Sequence, residues 1–61
     1  MPRYFDYVIK NLNNGEFGVI RREGRCDSLS SHMIFATYDE AYRTARAYLF
    51  GQEPTDETTH H

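Results

Sequence analysis

"YFDYVIKNLNNGEFGVIRR", residues 4–22, decides the fold, because two runs rich in aromatic and β-branched residues flank an Asn-Asn-Gly turn. The alternation in each run favours a strand, and Asn and Gly tolerate the positive φ of a tight reversal. A two-residue turn at Asn14-Gly15 would pair Leu12 with Phe17 and Lys10 with Val19, leaving Ile9 and Val19 on opposite faces. A three-residue loop, Asn13-Asn14-Gly15, with Gly15 left-handed in a bulge, gathers Phe5, Tyr7, Ile9, Phe17 and Val19 on one face. The second register makes a coherent core face and is the one expected. Its other face then shows Asp6, Val8, Lys10, Gly18, Ile20 and Arg22.

Beyond the hairpin, "REGR" (22–25) reads as a turn with Gly24 at its permissive position, and Cys26 to Ser31 as loop or a ragged strand start. "SHMIFA" (31–36) reads as a third strand, with Met33 and Phe35 on one face and His32 and Ile34 on the other. "TYDE" (37–40) is a capping box: Thr37 accepts from the third helical position and Glu40 reaches back to Thr37. The helix is expected from about Tyr38 to Phe50, with Tyr38, Ala41, Tyr42, Ala45, Tyr48 and Leu49 as its apolar stripe. Gly51 stops it and Pro54 prevents its continuation. The expected class is α+β, a three-stranded antiparallel sheet with one C-terminal helix packed on one face (β-β-β-α). Residues 1–52 form that domain and residues 53–61 a flexible acidic tail.

Sixty-one residues leave no room for a second domain, and a chain this short buries only roughly 60% of its unfolded surface. Cys26 is the only cysteine, so no disulfide framework contributes. No apolar run is long enough for a secretory signal or a membrane span, and a soluble cytoplasmic protein is expected. Residues 1–50 carry seven basic and six acidic side chains, while residues 51–61 add three acids and no Lys or Arg. A near-neutral body with an acidic end is not the field of a protein that attracts phosphate from a distance.

The stretch "FATYDEAYRTARAYLFG" (35–51) is similar to the strand-to-helix step of small domains with the pattern Phe-x-Thr-x-x-Glu-Ala, carried here by Phe35, Thr37, Glu40 and Ala41. It resembles a family of short bacterial domains of unknown function, whose hairpin aromatic and valine are matched by Phe17 and Val19. More distantly it resembles the plant-type AP2/ERF DNA-binding domain and integrase arm-binding domains. The resemblance implies a β-β-β-α fold and, in the DNA readers, a sheet face rich in arginine and tryptophan. Here that face offers only Lys10 and Arg22, contains no tryptophan, and carries Asp6 where the DNA backbone would approach.

Enzymatic and metal chemistry find little support in the residues. Cys26, His32, His60 and His61 lack metal-site spacing, and "CDSLSSH" (26–32) holds Ser, His and Asp without the geometry of a triad. There is no phosphate-binding glycine loop, and so small a domain has little volume for a pocket of about 300 Å³ or more. No cofactor is expected. The function expected is that of a small non-catalytic protein-binding module. In size and character it is similar to phage and mobile-element inhibitors of bacterial defence complexes, including anti-CRISPR proteins, acting by steric occlusion. Its expected protein-binding residues are Val8, Lys10, Ile20 and Arg22 on the open sheet face, with acidic Glu16, Glu23 and Asp27 at the hairpin ends. One alternative is a nucleic-acid-binding module using Lys10, Arg21, Arg22 and Arg25. Another is a homodimer joined through the open face. No membrane partner is expected.

Overall fold

The hairpin closes in the bulged register. In the computed structural model, which describes residues 5–58, strand β1 (Asp6–Asn11) runs antiparallel to β2 (Phe17–Glu23). Ile9 pairs with Val19 and Val8 with Ile20. The Leu12 amide donates to the Glu16 carbonyl at 2.7 Å, and Gly15 lies at φ +86°. Asn14 secures the loop by accepting from the Glu16 amide at 3.1 Å and donating to its carboxylate at 2.7 Å.

The third strand departs from expectation. Cys26–Ser28, read as loop or a ragged start, is strand β3, paired with Arg21–Glu23 across the Gly24 turn. The "SHMIFA" strand is mostly a 3₁₀ turn, Ser31–Met33, leaving only Ile34–Phe35 as β4 against Phe17 and Gly18. Two short strands thus share the outer edge of β2 where one continuous strand was expected. Val19 and Ile20 lie between the two pairings.

Helix α1 (Tyr38–Tyr48) starts at the expected cap: the Glu40 amide donates to the Thr37 hydroxyl at 3.3 Å. The reciprocal arm differs from a capping box, because the Thr37 hydroxyl itself donates to the Glu40 carboxylate at 3.1 Å. Asp39 and Arg43 pair at 3.0 Å one turn apart on the exposed side. Ala41, Ala45 and Leu49 face the sheet and form the core with Tyr7, Ile9, Val19 and Met33. Small alanines let the backbone approach closely, and Phe5, Phe17, Phe35, Tyr38 and Tyr42 close the margins.

The largest difference lies after the helix. Residues 53–58, expected in a flexible tail outside the domain, instead include β5 (Thr55–Asp56), which runs parallel to β1. The order β3-β2-β1-β5, with β4 also on β2, makes a mixed five-stranded sheet in place of a three-stranded antiparallel one. Polar contacts hold the segment. Thr55 donates to Asp6, the Tyr38 hydroxyl donates to Asp56 at 2.6 Å, and the Ile9 carbonyl accepts from the Glu57 amide at 2.9 Å and the Thr58 hydroxyl at 3.2 Å.

Candidate functional site

The sheet face away from α1 is covered at Val8, where it was expected to be open, while Lys10 and Leu29 stay exposed. Arg22 leaves β2 on that face, and its Nε and Nη2 donate to the two Asp27 oxygens at 2.9 and 3.0 Å. Its Nη1 donates to Glu57, just past β5, at 3.0 Å. These bonds to Asp27 and Glu57, more than any bulk field, raise the Arg22 pKa further, and the Arg22 bond holds the Asp27 carboxyl below its ordinary value. Because β1 lies between β2 and β5, the Arg22–Glu57 bridge spans β1 at the level of Val8. Val8 is 0% exposed and Ile20 half-buried. Leu12 and Leu29 fold over Gly18 further along the face. Val8 therefore offers no accessible side chain to a partner or a second copy. The C-terminal segment docks beside β1 next to Val8 and is tied to Arg22 through Glu57, while Ile20 stays half-buried and Lys10 exposed on the same face.

The other expected binding residues are dispersed. Lys10 is exposed beyond Val8, Glu16 is half-buried in the hairpin loop with Asn14, and Glu23 lies 3.7 Å from Arg21. Asp27 is occupied by Arg22. The four cations proposed for nucleic acid are not gathered into one patch. Lys10 and Arg22 belong to the far face, Arg25 to the Gly24 turn, and Arg21 to the helix side, with its guanidinium 4.5 Å from the centre of the Phe5 ring. Asp27 faces away from Ser28 and His32, so the Ser, His and Asp of residues 26–32 do not converge. Among the described residues no three metal-ligating side chains lie together. His60 and His61 fall outside the described residues.

A feature the sequence reading missed lies at the helix end. The helix stops at Tyr48 rather than Phe50. Gly51 donates to the Arg46 carbonyl at 2.8 Å and Phe50 to the Ala47 carbonyl at 3.3 Å, the bond pair of a Schellman motif. The left-handed position in that motif, normally glycine, is Phe50 at φ +56°, and Gly51 follows at φ +87°. Left-handed backbone costs a side-chain-bearing residue about 1–2 kcal/mol. The ring recovers nothing in this fold, since Phe50 is 94% exposed. The neighbouring Tyr48 is half exposed while Leu49 is buried. Arg46 braces the corner by donating to the Gly51 carbonyl at 2.9 Å. Helical spacing held the available signal, because Phe50 falls five residues after Ala45, off the stripe of threes and fours.

No family model, curated protein or solved structure matches the chain.

Proposed function

We propose that the chain is a small non-catalytic protein-binding module whose contact surface is centred on Phe50. The carrying observation is that an aromatic ring stands almost fully exposed on a backbone conformation suited to glycine. Neither local conformation nor packing among the described residues accounts for phenylalanine there. An aromatic anchor entering a partner's pocket does, and buried aromatic anchors supply much of the energy of protein interfaces. A strained backbone that serves no packing is a recurring mark of contact sites. Arg46 and the helix cap hold the corner rigid, so little ordering is lost on binding. The mechanism is steric: a rigid projection occupies a surface of its partner.

Nucleic-acid binding has weaker support, because Arg22 is neutralised on both sides and Arg21 lies on the opposite face of the sheet from Lys10.

The test replaces Phe50 with a photo-crosslinking benzophenone amino acid and, as a control, places the same group at exposed Arg43. The expected result in cells expressing the full chain is a discrete protein adduct from position 50 and none from position 43. Equal or absent adducts at the two positions would overturn the assignment of the surface.

A further inference from the structure

The split outer edge of β2 leaves a cleft of about 290 Å³ on the helix side of the sheet, close to the volume that so small a domain was not expected to hold. Its floor is apolar, formed by the largely buried Tyr7, Val19 and Met33. Its rim is polar and able to donate hydrogen bonds, with Arg21 from β2, Ser28 from β3 and His32 from the 3₁₀ turn. A chain of rings sets the geometry. Tyr48 stacks on Tyr7 at 5.4 Å, Tyr7 meets Phe5 edge-on at 5.6 Å, and the Arg21 guanidinium covers the Phe5 ring.

We propose that this cleft binds a small carboxylic acid with an aromatic or aliphatic body. The apolar body would rest on Tyr7, Val19 and Met33, and the carboxylate would meet Arg21 at the rim. Arginine presents a planar fork of donors that matches a carboxylate in two parallel hydrogen bonds. Stacking on Phe5 restricts that fork before any ligand arrives. Among the described residues Arg21 pairs with Glu23 at 3.7 Å, with both side chains about half exposed, too long and too wet to occupy the guanidinium. Ser28 and His32 add donors on the same rim. A single arginine suits one negative charge better than the two of a phosphate monoester. Tyr48 lines the cleft and also neighbours Phe50, but the inference does not rest on the Phe50 reading.

The experiment is an amide-resolved NMR titration of the full chain with phenylacetate, run beside 2-phenylethanol and inorganic phosphate. Phenylacetate is expected to shift the amides of Tyr7, Val19, Arg21 and Met33 in a saturable way, with a dissociation constant of about 1 mM, as befits a fragment in an open cleft. The alcohol and phosphate are each expected to bind about tenfold more weakly, a factor typical of one charge-assisted contact. Arg21→Gln is expected to weaken phenylacetate by the same factor. Ser28→Glu, on an exposed edge strand, places a competing carboxylate at the rim and is expected to abolish binding in a protein whose spectrum remains dispersed. Absence of saturable shifts at the cleft would overturn the proposal. So would equal affinity for the alcohol, or full binding by Ser28→Glu.

Discussion

The Tyr38 hydroxyl donates to the Asp56 carboxylate at 2.6 Å and so ties the first turn of the helix to the last strand of the sheet. That bond, reinforced by burial, raises the phenol to about 12. It also lowers the Asp56 carboxyl, with the Thr58 amide as a second donor. The signs of the two contributions follow. Tyr38 titrates higher folded than unfolded, so its contribution is complete below about pH 10 and is lost as pH rises through about 12. Asp56 titrates lower folded than unfolded, so its contribution is present above about pH 4 and is lost as pH falls through its folded value. Tyr38→Phe is expected to cost about 1 kcal/mol at neutral pH. The gap between the two proteins should close from pH 10 to 12. Thermal midpoints across pH 7–12 check this, and parallel profiles would mean that the hydroxyl is not held.

Val8 distinguishes a covered sheet face from an open one. Threonine has nearly the same shape, so Val8→Thr on an exposed face would leave stability unchanged. Beneath the Arg22–Glu57 bridge it buries a hydroxyl instead, and a cost of about 1–2 kcal/mol is expected. The urea midpoint measures it. The parallel change Ile20→Thr, at a half-buried neighbour, should cost less.

What was legible in the chain was local. Asn14 and Gly15 announce the bulged hairpin because their backbone preferences act within the turn itself. Thr37 announces the helix start because its hydroxyl bonds only three residues away. The docked segment has no such signature. Thr55 and Asp56 are polar, follow a proline, and find Asp6, Ile9 and Tyr38 only once the fold brings them near, with Thr55 bonding across 49 positions. Alternation correctly divided the side chains of β1 and β2 between two faces, but a two-face pattern does not say what covers the second face. Alternation therefore places Val8 on the correct face without revealing that it is fully buried. At the helix end, spacing sets Phe50 off the apolar stripe and Gly51 marks a stop, but neither says which of the two takes the left-handed position. Only the bond from Gly51 to Arg46 identifies Phe50 as the left-handed residue.

Thr37→Ala tests the cap that begins the helix. The variant leaves the Glu40 amide without its acceptor and removes the hydroxyl that engages the Glu40 carboxylate. A loss of about 1 kcal/mol is expected, which in a domain of this size is about 4–8 °C in thermal midpoint. Thr37→Ser keeps both bonds and should recover most of the loss. A serine variant as weak as alanine would trace the effect to the threonine methyl instead of the cap.

Phe50→Gly separates a residue kept for the fold from one kept for a partner. Glycine removes a left-handed penalty of about 1–2 kcal/mol and adds about 0.5–1 kcal/mol of unfolded-chain entropy. Removing a ring that is 94% exposed forfeits almost no burial. A net gain of about 0.5–1 kcal/mol is expected, seen as a thermal midpoint about 3–6 °C higher. Phe50→Ala keeps the left-handed strain and loses the same ring, so it should stay near the wild type. If the proposed contact is correct, both variants also lose the adduct partner found from position 50, so stability and binding move in opposite directions in the glycine variant. A glycine variant less stable than the wild type would mean that the ring packs within its own chain, and the case for Phe50 as a partner contact would fall with it.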